Sequence, residues 1–404
     1  MSHHIHVPNS EKFDASKGVL LKNVFSVAAV IGLLGSLVVY FASGSEDVPH
    51  SLFAHVWLFA FMYFFTVLCG CFFWNCVHHA TDAEWSVVIR RQIENLASLL
   101  RYVAVFFIPI ALCVTILYTW MSADPTKDAA MAGSKSLYLN KPFFWTRVFV
   151  FFGALALLSH MLRKRSMAQD KDGASSHTFA MRKFAVIGIP TLAICLTFSG
   201  IDWLKALNHH WFSTMWGVYL FAGAAGASMA LIVLTVSWLK KLGYLNVVTE
   251  EHYHLMGKWL LTFTVFWAYI GFSQYMLITY ANLDEETIYF RIRNTGSWNY
   301  FSHLLVFGRF FFIFVVLLFQ GTKKSKLINF CAVWILLMQF LDIFVIVIPE
   351  WSPVGFSFRA ALASIFPWLG IGGCLGLLFL KTLGEGYLFP TKDPRLAGSL
   401  KASN

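Results

Sequence analysis

The chain has 404 residues, of which 58% are hydrophobic and 13% are charged, and it contains 41 phenylalanines. Soluble globular proteins have about 25% charged residues, so this composition excludes an ordinary soluble domain and indicates a polytopic membrane protein. The net charge of +10 does not indicate nucleic-acid binding, because the basic residues lie beside apolar segments, where they set the orientation of membrane helices.

Ten apolar segments are long enough to span a bilayer, which takes about 20 residues. The sequence predicts helices at 23–42, 53–76, 97–120, 143–162, 183–201, 213–239, 256–280, 298–319, 327–349 and 360–383. We therefore expect an all-α polytopic membrane protein. Polar tails precede and follow these helices, at residues 1–22 and 384–404.

The distribution of basic residues predicts the orientation of the chain. If the N-terminus is cytoplasmic, most of the 31 Lys and Arg residues fall on the inner side, including runs at 163–165, 240–241 and 323–324. The first predicted outer loop, at 44–51, has no basic residue. Because cytoplasmic loops of membrane proteins are enriched in Lys and Arg, we expect both termini in the cytoplasm.

Two predicted inner connections resemble each other. After predicted helix 2, Thr81 followed by Glu84 fits a capping box, and residues 84–97 have the apolar spacing of an amphipathic helix at the membrane interface. After predicted helix 6, Thr249 begins a second polar segment. This correspondence predicts a repeat, and coincidence between segments of similar hydropathy is the alternative. The repeated units would be two four-helix bundles, helices 2–5 within residues 53–201 and helices 6–9 within residues 202–349, flanked by helices 1 and 10.

Two other connections have predicted roles. The outer loop at 121–141 is expected to be irregular and to contact a partner, because it contains Pro125, Gly133 and several small residues. The C-terminal tail is polar and is expected to cover an inner surface of the bundle or to be partly disordered.

Ionisable residues in or beside apolar helices are candidates for function, because such groups are costly in a bilayer. On the predicted outer side, Asp202 ends helix 5, and His209 and His210 precede helix 6, with His55 or Trp57 of helix 2 as the expected partner. A carboxylate and a histidine are suited to accept protons from an oxidised quinol. Interfacial anchoring beside an aromatic belt is the alternative.

Further polar groups lie deeper in the apolar segments. Arg309 of helix 8 and Asp342 of helix 9 are expected to pair, with Gln339 one turn before Asp342. Arg309 and Asp342 could form a purely structural ion pair or take part in a proton path. Gln274 of helix 7 is a candidate to hydrogen-bond a quinone carbonyl or to line a file of water molecules, with interhelical hydrogen bonding as the alternative.

A predicted inner cluster lies before helix 7. Glu251 and His252 are the candidates for the mouth of a proton half-channel, opposite a polar group that includes His78, His79 and Glu94. A solvated polar loop is the alternative. We expect neither haem nor a metal site, because the spanning helices lack histidine pairs spaced for stacked haems and the chain has no CxxCH motif.

Several stretches resemble the F-subunit family of bacterial alternative complex III, a quinol:electron-acceptor oxidoreductase. They include FSGIDWLKALNHHWFSTMWGVYLFAGAAGA at 198–227, HHATDAEWSVVIRRQIENLA at 78–97 and FWAYIGFSQYMLITYAN at 266–282. The similarity covers predicted helices 2 to 10. The wider family is the NrfD/PsrC-like membrane subunits, which have two four-helix bundles.

The resemblance implies a complex in the bacterial inner membrane. Its other members would be a pentahaem cytochrome c subunit, an iron–sulfur subunit and a related ten-helix membrane subunit, with a terminal oxidase as a further partner. Haem c and iron–sulfur clusters would belong to those partners, and this chain would carry no redox centre. It would supply a proton-conducting path, and either this chain or the related subunit would bind menaquinone or ubiquinone.

Two alternatives come from other functional classes. A secondary transporter is one, but transporters favour broken helices in both repeats, whereas Pro109 and Pro190 lie only in the first predicted unit. A purely structural membrane anchor for redox subunits is the other. Neither is excluded by the residues alone.

Overall fold

The computed structural model describes residues 11–122 and 134–402. In this part of the chain, ten helices are long and apolar enough to cross a membrane. In chain order, α1 to α10 are Ala15–Ala42, Ser51–Ala80, Glu84–Leu112, Lys141–Asp172, Ser175–Asn208, Trp216–Lys241, Glu250–Ala281, Trp298–Leu318, Leu327–Trp351 and Phe358–Leu383. The prediction of an all-α polytopic membrane protein is confirmed, and the described residues contain no β-strand.

Several helices extend beyond their predicted ends into polar sequence. α4 continues to Asp172, so the basic run at 163–165 lies on a helix, where the sequence predicts a loop. Hydropathy detects only the apolar part of a helix, whereas its ends depend on capping. The Asn140 side chain accepts a hydrogen bond from the Phe143 N–H at the start of α4, and Gly173 ends the helix at φ +72°.

The segment between α2 and α4 departs most from the prediction. The sequence predicts a spanning helix at 97–120, whereas the structure has one span that begins at Glu84 and ends at Leu112. Beyond Leu99 this span breaks into short α and 3-10 turns. Pro109 lies in this broken part and lacks the N–H that a continuous helix would use.

The predicted interfacial amphipathic helix is instead buried. All eleven residues of Val87–Ala97 are shielded from solvent, because α2, α4 and the C-terminal tail pack over its polar face. The predicted capping box is also wrong. The Thr81 hydroxyl donates back to the Val77 carbonyl, and Ala83 occupies the N-cap position without a side-chain cap.

The two most buried spans, α2 and α6, lie side by side at the centre of the bundle. Their close approach depends on the small residues at 223–228 of α6. A Cβ atom on Gly70 of α2 would lie 2.2 Å from the Ala224 carbonyl oxygen and 2.4 Å from Ser228 Oγ. Small residues allow helix backbones to approach in membrane proteins, and those at 223–228 allow α6 to pack tightly against α2.

The helix pair α1 and α10 lies at the flank of the bundle. α1 packs mainly against α10, and a Cβ atom on Gly32 would lie 2.0 Å from the Gly370 nitrogen. The remaining face of α1 is exposed and apolar. This location agrees with a flanking role for helices 1 and 10, while the division of α2–α9 into two four-helix units stays a prediction.

Both described terminal segments lie at one end of the bundle, which we call the termini end. Lys12 forms an isolated antiparallel bridge with Tyr387. The Leu388 N–H donates to the Glu11 carbonyl at 3.0 Å. Which side of the membrane this end faces stays a prediction, as does the partner contact of the 121–141 loop. Residues 123–133 of that loop, and residues 1–10 and 403–404 of the tails, lie outside the described residues.

Replacing Gly70 by alanine should destabilise the protein by about 1–3 kcal/mol, because the added methyl group would overpack the α2–α6 contact. Gly153 of α4 is the matched control, since a Cβ atom there meets nothing within 4 Å. Gly153→Ala should be neutral or stabilise by about 0.5–1 kcal/mol, because alanine is the better helix former. Thermal unfolding in detergent measures both, and equal effects would contradict the packing account.

Candidate functional site

Arg309 and Asp342 form a buried ion pair near the middle of α8 and α9, as the sequence predicts. Arg309 Nη1 lies 2.6 Å from Asp342 Oδ2, and Arg309 Nη2 donates to Gln339 Oε1 at 2.5 Å. Two further donors reach the same carboxylate: the Tyr219 hydroxyl from α6 and, at 3.3 Å, Trp267 Nε1 from α7. Four helices therefore converge on Asp342, and all of them belong to the second predicted unit.

The local backbone of α8 presents Arg309 to this network. Residues Leu305–Phe312 form a π-helix, a rare conformation that widens the helix and often marks functional sites. The indole nitrogen of Trp334 donates to the Gly308 carbonyl at 2.8 Å, which helps to satisfy the widened turn. Glycine at 223 leaves the necessary space, because a Cβ atom there would lie 3.0 Å from Arg309 Nη2.

Asp342 lines a cavity of about 980 Å³ bordered by α6, α7, α8, α9 and the short helix Asp284–Arg293. α7 packs against the Ile313–Leu318 part of α8. Away from the termini end, the two helices separate, and the cavity lies between them. Its wall is mostly apolar and aromatic. Polar groups are confined to a few positions, as in many small-molecule sites.

The cavity opens at the perimeter of the bundle, between α7 and α8. Tyr269, Phe272 and Phe307 line it and are 63%, 65% and 59% exposed. In a protein that spans a membrane, exposed apolar side chains at this depth face lipid. The cavity therefore connects a lipid-facing surface with a buried carboxylate.

Gln274 lies in the wall of the same cavity. Its side-chain oxygen accepts a hydrogen bond of 2.9 Å from Ser213 Oγ. The structure thus brings together three of the predicted candidates, because Gln274 and Asp342 line one cavity and Arg309 pairs with Asp342.

Arg293, which the sequence analysis did not select, closes the cavity at its end farthest from the termini. Pro349 lacks an N–H and frees the Val345 carbonyl of α9. Arg293 Nε donates to that carbonyl at 2.9 Å, and Nη2 donates to the Ile346 carbonyl at 2.6 Å. Its guanidinium also pairs with Glu350 at 2.9 Å. This arginine therefore ties the short helix to α9.

Asp202 is also paired with an arginine, but in a closed environment. Arg147 of α4 donates to both of its oxygens, at 2.6 and 3.0 Å, and the Tyr138 hydroxyl donates at 2.8 Å. The predicted partners are wrong: His55 bonds the Ser51 carbonyl and Trp57 bonds the Phe106 carbonyl. The carboxylate is fully buried, so the guanidinium and phenol take the place that the sequence assigns to a histidine.

The predicted histidine pair lies near this site and divides between two environments. His209 is buried, with its Nδ1 3.4 Å from Thr119 Oγ1 and its carbonyl bonded by Lys135 at 3.1 Å. His210 is exposed, and the two ring centroids are 4.2 Å apart. A proton-exit role for His210 stays a prediction.

The structure does not bring the members of the predicted inner cluster together. Glu251 pairs with Lys324 on the surface. His252 is buried and completes a capping box with Thr249, and its Nε2 lies 3.2 Å from the Ser399 carbonyl of the C-terminal tail. The two candidates therefore point to different neighbours, and Glu94 belongs to a separate network on α3.

That network is a set of buried charges beneath the C-terminal segment, residues 385–402. Arg91 bonds Glu94 at 3.0 Å and Asp170 at 2.5 Å. Arg90 pairs with Asp393 of the C-terminal segment. The expectation that the C-terminal tail covers a surface of the bundle is confirmed, and the Arg90–Asp393 pair helps to hold it there.

Sequence reasoning missed Arg147, Tyr219 and Trp267. Arg147 carried a usable signal, because a single arginine in the apolar run FFWTRVFVFF has to find a partner. Tyr219 and Trp267 carried none, since they lie among many other aromatic residues. Their role depends on which helices meet, which one sequence does not reveal.

Replacing Arg309 by methionine should lower the free energy of unfolding by about 3–5 kcal/mol, because Asp342 would remain buried without its cation. The double variant Arg309→Met/Asp342→Leu should recover much of this loss, since apolar residues can replace a whole buried pair. Denaturant titration in mixed micelles measures both. A double variant no more stable than the single one would contradict the pairing.

The attachment of the C-terminal segment should weaken in acid. Burial raises the pKa of Asp393, but Arg90 and Arg395 lower it further, so it lies well below its ordinary value of 3.8. Bonding to Arg182 likewise lowers the pKa of Asp82. A lowered folded-state pKa contributes stability above the ordinary value, and this contribution is lost as the pH falls below it.

Thermal unfolding between about pH 7 and about pH 3 tests this linkage. Asp393→Asn should unfold earlier than the wild type at neutral pH and lose less stability in acid. Asp284→Asn, at the other end of the bundle, is the control and should keep the wild-type profile. The same acid dependence in Asp393→Asn and the wild type would contradict the assignment.

The comparisons with known proteins give no family assignment. No family model matches the chain, and the search of curated proteins found no match. Within the described residues, no group of three or more His, Cys, Asp or Glu side chains is arranged to hold a metal ion. The protein is a multi-pass helical membrane protein, and among the buried Arg–Asp pairs of its described residues, Arg309–Asp342 borders a cavity.

Proposed function

We propose that the chain is an integral membrane subunit of a respiratory quinol oxidoreductase of the alternative complex III type. It carries no redox centre, and it provides a quinone site and the first step of a proton path. The observation that carries this proposal is the Arg309–Asp342 pair at the back of a cavity that opens toward lipid. Quinones are lipid-soluble, and quinol oxidation requires a proton acceptor beside the headgroup, as quinone reduction requires a proton donor.

The shape and chemistry of the cavity support a quinone as its ligand. Aromatic side chains form most of the wall and suit a flat ring and an isoprenoid tail. Gln274 and Asp342 are polar groups on that wall and are suited to bond the two oxygens of a headgroup. The mouth between α7 and α8 gives a route from the bilayer, so menaquinone or ubiquinone need not cross the aqueous phase.

Asp342 is the group that handles a proton in this proposal. An ionised carboxylate has about four acceptor positions, and Arg309, Tyr219 and Trp267 use three of them. The remaining position is available to a quinol hydroxyl, whose proton then passes to the carboxylate. Arg309 is the cation that pairs with Asp342, and Tyr219 fixes the direction of its oxygens.

The partners follow from the same proposal. A pentahaem cytochrome c subunit, an iron–sulfur subunit and a related ten-helix membrane subunit complete the complex, and a terminal oxidase is a further partner. Their haem c and iron–sulfur clusters supply the electron transfer. The complex lies in the bacterial inner membrane with both termini of this chain in the cytoplasm, an orientation supported by the basic residues at the termini end.

Purification of the full assembly from membranes in mild detergent tests membership of the complex. We expect multihaem and iron–sulfur absorbance to co-purify with this chain, together with quinol:acceptor activity. A colourless, stable monomer would contradict the proposal and favour the transporter reading.

Substitution of the two buried aspartates tests the site. Asp342→Asn should lower quinol turnover by about 10²-fold or more while the assembly still forms, because the proton acceptor is lost. Asp202→Asn is the matched control, since this carboxylate is equally buried and arginine-bonded but does not line the cavity. If turnover and proton release both persist in Asp342→Asn, the chain is an anchor and the related subunit holds the quinol site.

A further inference from the structure

Five buried side chains at the termini end of α2 and α3 have polar atoms for which the protein supplies no hydrogen-bond partner. Both amide atoms of Asn75 and both ring nitrogens of His78 are unpartnered. So are His79 Nε2, Glu94 Oε1 and Arg90 Nε. These residues are at most 2% exposed. Buried polar atoms are normally bonded, so this concentration requires an explanation.

Three of these residues are neighbours on α2, and His79 also lies beside Glu94 of α3. Asn75, His78 and His79 occupy positions i, i+3 and i+4 of α2 and therefore share one face. His79 Nε2 is 3.7 Å from Glu94 Oε1, and Arg90 Nε is 3.6 Å from the same oxygen. These separations exceed direct hydrogen-bond lengths, which is the situation in which a bridging water is expected.

The charges around this cluster exclude an ion as the missing partner. Arg90 is paired with Asp393, and Arg91 bonds both Glu94 and Asp170. No unbalanced charge is left to attract an anion or a cation. The amide of Asn75 and a neutral imidazole each need a partner that both donates and accepts, and water is the small molecule that does so.

The cluster is also shielded from bulk solvent. The Gln92 side chain donates to the Leu388 carbonyl at 2.7 Å, and Ser399 Oγ donates to the Trp85 carbonyl at 2.8 Å. These bonds hold the C-terminal segment across α3. Water at the cluster would therefore exchange slowly with the surroundings and behave as part of the fold.

We propose that Asn75, His78, His79 and Glu94 bind a small group of buried water molecules between α2 and α3. This hydrated site supplies the two histidines with partners without adding charge to the bundle. It is independent of the proposed function, because its residues lie on α2 and α3, whereas the quinone cavity is bordered by α6 to α9.

High-resolution electron cryomicroscopy of the full-length protein in lipid nanodiscs tests the site directly. We expect ordered water density within hydrogen-bond distance of Asn75 and His78 in every reconstruction that resolves water elsewhere in the protein. Side chains that turn to bond each other, with no water density between them, would overturn the proposal.

Apolar substitution gives a second test, because the proposal predicts the direction in which the midpoint of thermal unfolding changes. Asn75→Leu and His78→Leu should lower the midpoint of thermal unfolding by a few degrees, because the bound water loses its partners. If the site is dry, the same variants remove unpartnered groups and should raise the midpoint. Thr66→Val, elsewhere on α2, is the control, since its hydroxyl bonds only carbonyls of its own helix, at 2.8 and 3.0 Å. If the leucine variants fail to accumulate, the water density of the wild type decides.

Discussion

The bundle depends on pairing nearly all of its buried charges with opposite charges. Removing an ionised side chain from water costs roughly several kcal/mol, and a partner with good geometry offsets much of this cost. The structure meets this requirement repeatedly in the described chain, and three pairs illustrate it. The pairs are Arg90–Asp393, Arg147–Asp202 and Arg309–Asp342, each almost completely buried. These pairs, together with apolar packing, link particular helices and the C-terminal segment.

Two of the pairs have corresponding positions in the chain. Arg147 and Asp202 join α4 to α5, and Arg309 and Asp342 join α8 to α9. These are the last two helices of each predicted four-helix unit, so the correspondence supports the predicted repeat. The environments differ, because the first pair is closed by Tyr138 and the second borders a cavity. The Arg147–Asp202 pair is therefore enclosed by protein, whereas the Arg309–Asp342 pair borders a cavity that is open to a ligand.

Apolar length and charge were sufficient to predict the ten spans and the Arg309–Asp342 pair. A span needs a long apolar run, and a buried arginine needs a carboxylate at a similar depth, so both follow from local sequence. The burial of Val87–Ala97 did not follow, because its amphipathic spacing is the same whether lipid headgroups or a C-terminal segment cover it. The partner of Asp202 was missed although Arg147 carried a signal, because the sequence does not show that α4 brings this arginine beside the end of α5. The cavity itself depends on the π-helix of α8 and on the separation of α7 from α8, neither of which has a sequence signal as strong as hydropathy.

The central claim is that a lipid-soluble quinone reaches Asp342 between α7 and α8. Binding of a short-chain quinone to the purified protein in nanodiscs, measured by quenching of tryptophan fluorescence, tests it most directly. Val306 lines the cavity mouth and Val315 lies on the same helix outside the cavity, and both are about half exposed. Val306→Trp should weaken binding by roughly tenfold or more, about 1.4 kcal/mol, while Val315→Trp should bind like the wild type. Saturable binding that is unchanged in Val306→Trp, or no binding to the wild type, would contradict the account.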